Sequence, residues 1–184
     1  KFSSFARRGH LLPTYDTGLT LKRLERALAQ TRAERVVSLG DSFHRDEGTE
    51  TLLDADRLRL MALLGRSHLT WLSGNHDPSP HTLGGVCVPV LEHRGLTLVH
   101  EPCRGARTAT IAGHLHPAAT VVANGRGARR PCFVHDGKLL VLPAYGAGTG
   151  SMNILGPTFH GLFDYQSLEV TMLGRNRLYP VSTR

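Results

Sequence analysis

The stretch TWLSGNHDPSP, residues 70–80, decides how this chain is read. Thr70 to Ser73 suit a β-strand, and the run ends on Gly74-Asn75-His76-Asp77 before Pro78 and Pro80 close off regular structure. A strand that stops by presenting an amide, an imidazole and a carboxylate in a row either caps a turn or offers polar groups to a site.

Upstream of it lies TETLLDADRLRLMALLGR (49–66), where Leu53, Leu58, Met61 and Leu64 fall at helical spacing and Gly65 supplies a stop. Before that come RVVSLG (35–40), a short buried strand, and TGLTLKRLERALAQTRAE (17–34), whose Leu21, Leu24 and Leu28 predict a helix ending near Ala33. Helix, strand, helix, strand implies parallel strands joined by crossover helices.

Downstream of Pro80 the pieces are short and β-rich. GVCVPVLEHRGLTLVH (85–100) reads as a hairpin turning at Glu92 to Gly95; TATIAGHLHP, ATVVA, CFVHDGKLLVLPA and LEVTMLGRNRLYPV follow. AYGAGTGSMN (144–153) reads as a β-turn loop, because no helix follows to make Gly146, Gly148 and Gly150 a phosphate cradle. The expected architecture is α/β with mixed sheets.

At 184 residues the chain is expected to form a single domain, 1–184. Its apolar share of 40% and charged share of 20% are those of a globular protein, and no apolar run approaches the roughly 20 residues of a membrane helix. Three cysteines, Cys87, Cys103 and Cys132, make neither an even set nor a C-x-x-C pair, which argues against a disulfide framework or thiolate zinc site and favours a reducing cytoplasm. A formal charge of +7, with local clusters at Arg7, Arg8, Arg104, Arg107, Arg126, Arg129 and Arg130, would attract a phosphate-bearing partner.

Several expected strands end in polar groups: Asp41, then Asn75 and His76, then His100, then His114 and His116. The carboxyl ends of strands in open α/β sheets line the functional crevice, so residues far apart in sequence can converge there. A carboxylate, an amide oxygen and three imidazoles suit Mn²⁺, Fe or Zn²⁺. In His-x-His the two imidazoles of an extended strand point to opposite sides, so His114 and His116 serve one ion only if the backbone turns, and otherwise serve two neighbouring ions.

GDSFH (40–44), GNHD (74–77), VHEP (99–102) and GHLHP (113–117), in this order, resemble the signature blocks of the calcineurin-like metallophosphoesterases. FARRGHLLP (5–13), GDSFH and LVLPAYGAGTG (140–150) further resemble the bacterial ligase-associated DNA-damage-response endonuclease group called PdeM. The resemblance implies a sandwich of mixed β-sheets flanked by helices and a pair of divalent ions, Mn²⁺ first, with Fe or Zn²⁺ as alternatives. Asp41 would bridge the two ions, with Asn75, His100 and His114 on one and His116 on the other. His76 would bind no metal but would assist the leaving oxygen of a phosphodiester. His44 and Asp77 are expected to support the ligands from behind, and Arg7, Arg8, Arg129 and Arg130 to contact phosphate or DNA. DNA is the implied substrate and a ligase and helicase the implied partners. A phosphodiesterase for small nucleotides, or a non-catalytic scaffold such as the retromer subunit of this fold, are the alternatives; the presence of His76 argues against the scaffold.

The family opens with an Asp-x-His block after its first strand, and nothing of that form precedes Asp41. That strand and block are expected upstream of Lys1, with His10, Asp16 or His44 as the residues that would otherwise have to replace them.

Overall fold

The computed structural model describes residues 16–43, 46–105 and 109–181, which form two compact units. Arg7, Arg8, His10 and His44 lie outside the described residues.

The first unit comprises the described residues up to Pro89 together with Tyr145–Thr149. Helix α1 (Asp16–Thr31) leads into strand β1 (Arg35–Ser38); helix α2 (Asp54–Leu64) then crosses over to β2 (His68–Leu72), and β3 (Val86–Val88) follows. The three strands are hydrogen-bonded in the order β1-β2-β3, all parallel, with Val37 opposite Thr70 and Trp71 opposite Cys87. Helical spacing in 17–34 is borne out: Leu21 is buried, and Leu24 and Leu28 pack against the same cluster.

For α2 the spacing is only partly borne out: Leu64 packs against this cluster, but the other three residues do not mark the buried face. Leu60 and Leu63 are buried, whereas Leu53, Leu58 and Met61 are exposed. Apolar residues surround most of this helix, so periodicity could not select the side that meets Leu69 and Trp71. Asp54 and Asp56 in its first turn suit the positive end of the helix dipole.

The second unit comprises Val90–Ala144 and the described residues from Gly150 onward. Its sheet runs β10-β7-β8-β9-β6-β5-β4, from β4 (Val90–His93), β5 (Leu96–Val99), β6 (Thr110–Ala112), β7 (Pro117–Ala123), β8 (Arg126–His135), β9 (Leu139–Val141) and β10 (Met152–Asn153); β11 (Glu169–Leu173) pairs with β8 and with β12 (Leu178–Val181). β5, β6 and β9 are parallel neighbours, while β4–β5, β7–β8, β8–β9 and β11–β12 are antiparallel, so the sheet is mixed. Ala112, Leu115, Cys132, Val134, Val141 and Phe159 are among the residues of its core. Beyond residue 80 the described residues contain no α-helix.

The hairpin expected over 85–100 is shorter than that. Pro89, which can donate no hydrogen bond, ends β3, and only β4 and β5 form the hairpin, turning at Arg94 and Gly95, both with positive φ. Among the described residues no helix is long and apolar enough to cross a membrane.

Candidate metal centre

In the first unit β1 and β2 are parallel neighbours, so Asp41 and Gly74–Asp77 follow the same edge of one sheet. Asp77 ties the two loops together. Its Oδ1 accepts the backbone N–H of Asp41 (2.9 Å) and of Gly74 (3.1 Å), and its Oδ2 accepts that of Phe43 (3.0 Å). Asp41 Oδ1 in turn accepts the N–H of His76 at 2.9 Å. Burial pushes the Asp77 carboxyl above its ordinary range and the charge of Asp41 adds to this, while the three N–H groups pull it down. Asp77 therefore links the two loops that carry Asp41 and Asn75, and both Asn75 and His76 are exposed.

Gly74 is buried, and nothing larger fits in its place. A Cβ there would fall on the backbone N and carboxylate of Asp41 and against Asp77 Oδ1. Asp41 itself adopts φ 51°, a left-handed conformation that costs a non-glycine residue energy and is typical of functional sites.

In the second unit β5 and β6 are parallel neighbours, and His100 and His114 follow their carboxyl ends. His100 Nε2 and His114 Nδ1 are 3.1 Å apart, with the rings edge-on at 4.9 Å between centroids; His100 is buried and His114 half-buried. Two nitrogens each about 2.1 Å from one cation stand roughly 3.0–3.4 Å apart in octahedral or tetrahedral geometry, so the pair already has the spacing of two ligands of one ion. The backbone does turn between the two histidines of GHLHP. His114 (φ 62°) and His116 (φ 44°) are both left-handed, Leu115 donates its N–H to the Gly113 carbonyl at 2.7 Å, and the Leu115 side chain is buried in the core. Leu115 anchors the loop while Pro117 starts β7.

Within the second unit His100 and His114 thus offer two borderline imidazole nitrogens spaced to fit a divalent cation, and within the first unit Asp41 offers a hard carboxylate. His116 is half-buried and directly precedes β7. Arg129 and Arg130 are exposed on β8, but neither guanidinium is without a partner: Arg129 donates to the Ser151 carbonyl (2.8 Å) and hydroxyl (3.3 Å), and Arg130 to the Arg129 carbonyl (3.1 Å).

Sequence reasoning left His81 unassigned, yet it packs edge-on against Trp71 (4.8 Å, 81°) and Phe43 (5.4 Å, 85°), next to the residue whose N–H Asp77 holds. No local motif marks it, because the relationship exists only in three dimensions.

No protein-family model and no curated protein matches the chain. Among solved structures it is similar to the crystal structure of the Pseudomonas putida nuclease MPE, with 28% sequence identity and a TM-score of 0.71 over 94% of this chain and 82% of that one.

Proposed function

We propose that this chain is a divalent-metal-dependent phosphodiester hydrolase with the calcineurin-like sandwich fold, acting on DNA in the manner of the PdeM group that its motifs resemble. The observation that carries the reading is the His100–His114 nitrogen pair at 3.1 Å, at the ends of two parallel strands, in a chain similar in fold and 28% identical to a nuclease. By the motif resemblance Asp41, Asn75 and His116 would join the histidine pair in holding two divalent ions; Asp41 has a left-handed backbone, and its carboxylate accepts the His76 N–H. Divalent ions bound there supply Lewis-acid polarisation of the phosphate.

The protein's own groups have separate tasks. Asp77 holds both ligand loops through their N–H groups. His76 is exposed beside Asn75 and protonates the departing oxygen of the substrate. The positive formal charge of +7 favours a polyanionic substrate over a small nucleotide.

The test is hydrolysis of single- and double-stranded DNA and of an aryl phosphodiester, measured with Mn²⁺, with EDTA, and in a His114→Ala variant. Mn²⁺-dependent cleavage that is lost with EDTA and in His114→Ala is expected. Cleavage of the small ester but of neither DNA would replace the DNA reading by that of a small-nucleotide phosphodiesterase, and EDTA-resistant cleavage would overturn the metal assignment.

A further inference from the structure

His81 is a residue for which the fold itself provides no use. Both ring nitrogens are buried and, among the described residues, neither has a hydrogen-bond partner on another residue, although a neutral imidazole carries one donor and one acceptor. Native proteins rarely bury such groups unsatisfied, because each forfeits its interactions with water, and a phenylalanine would fill the same place against Trp71 and Phe43 without that cost. Burial accordingly lowers the imidazole below its ordinary range, against the raising pull of its own backbone and of the Asp77 charge, and so keeps it neutral near pH 7.

What lies beside it supplies the reason. A narrow cleft of about 10 Å³ is lined by His81 together with Asp77, Ser42, Ser73, Ser79 and Trp71. That volume is about one water molecule, and a water is stable in a space of this size when two to four polar groups surround it. A hydroxyl, a carboxylate and an imidazole meet that condition, and a bridging water is nearly as good as a direct hydrogen bond.

We propose that His81 is a positioning residue: through one solvent molecule in this cleft its imidazole fixes the Asp77 carboxylate, and Asp77 in turn holds the Asp41 and Phe43 backbone in the conformation that presents the Asp41 ligand. The inference rests on the metal reading above for its consequence, but not for its structural claim. The aromatic group formed by Phe43, Trp71 and His81 then belongs to the site as much as to the core. Phe43 is held from one side by Asp77 and from the other by the ring of His81. Such a group gives up stability for placement, as polar residues at functional sites do.

The experiment compares the parent with His81→Phe and His81→Gln by three readouts: the urea midpoint, hydrogen exchange of the Asp41 and Phe43 amides without metal, and the half-saturation of Mn²⁺ binding. His81→Phe keeps the ring and removes the nitrogens. It is expected to unfold at the same or higher urea concentration, yet to exchange both amides about 10-fold faster and to bind Mn²⁺ about 10-fold more weakly, the size of effect seen when a residue supporting a metal ligand is lost. His81→Gln keeps polar atoms without the ring and is expected to return both quantities to within about threefold of the parent. Parent-like exchange and Mn²⁺ affinity in His81→Phe overturn the proposal, since His81 would then only fill space. If His81→Phe does not fold, His81→Gln decides: parent-like amide protection supports the proposal and 10-fold faster exchange overturns it. A parent that binds no Mn²⁺ sinks the metal reading alone, because the amide comparison needs no ion.

Discussion

Asp77 Oδ1 accepts the backbone N–H of Asp41, 36 positions away, at 2.9 Å, and the same oxygen accepts the N–H of Gly74 at 3.1 Å. One carboxylate thus closes both ligand loops at the end of β1 and β2. Gly74→Ala would place a methyl group on the Asp41 backbone and carboxylate, neither of which can withdraw without breaking these bonds. The expected loss is about 2–4 kcal/mol in urea unfolding, from overpacking plus an unsatisfied buried carboxylate, with Mn²⁺ affinity reduced at least 10-fold. A Gly74→Ala protein with parent-like midpoint and affinity would mean that the loops are not locked together.

How far this was legible in the sequence depends on the kind of signal. GNHD and GHLHP can be read because each packs several polar side chains next to a strand end, and the parallel order of β1 and β2 follows from the helix between them. The left-handed backbone at His114 and His116, which makes the turn that a plain strand forbids, left only Gly113 and Pro117 as hints. The buried face of α2 was not legible, since Leu58 and Met61 are as apolar as Leu60 and Leu63 and only the tertiary partner distinguishes them. Nor was the anchoring of Arg129 to Ser151, which joins β8 to a glycine-rich loop 22 positions on. His81 lacked any signal for the same reason.

The cysteines should react very unequally. Cys132 is fully buried in the core of the second unit, and burial pushes its thiol up to about 11 despite the hydrogen bond from Ala119, whereas Cys103 is exposed. At pH 8 roughly one Cys132 thiol in a thousand would be ionised, and it is shielded besides. A disulfide reagent should label Cys103 first in the native protein and Cys132 only after denaturant is added, as peptide mapping would report. Rapid native labelling of Cys132 would contradict the packing of this core.

Asp136 staples the β8–β9 turn to the loop that precedes β11. Oδ1 accepts the N–H of Lys138 and Leu139, each at 2.9 Å, and Oδ2 that of Asp164 at 3.0 Å. Burial by itself would raise its pKa, but these donors outweigh it and hold the group below its ordinary value of 3.8. A folded value below the unfolded one contributes stability that is present above about pH 4 and lost as pH falls through the folded value. Asp136→Ala should therefore cost about 1–2 kcal/mol at pH 7, and the gap from the parent should close in acid below the ordinary carboxylate range. Urea titrations at pH 7, 5 and 3 measure it; a constant gap at all three would show that the carboxylate charge is not what matters.

His76 allows ligand placement to be separated from chemistry. Its link to Asp41 is made by its backbone N–H, at 2.9 Å from Oδ1, and that bond survives any substitution other than proline. The side chain is exposed, so removing it leaves no cavity in the core. His76→Ala should then keep the parent's urea midpoint and its Mn²⁺ stoichiometry while turnover of an aryl phosphodiester falls about 10²- to 10⁴-fold, the usual contribution of a general acid. The deficit should be smaller for an ester whose leaving group is a weak base, because such an oxygen departs without a proton. Metal loss in step with the rate would make His76 a ligand instead of an acid, and an equal rate deficit for good and poor leaving groups would remove proton donation from its role.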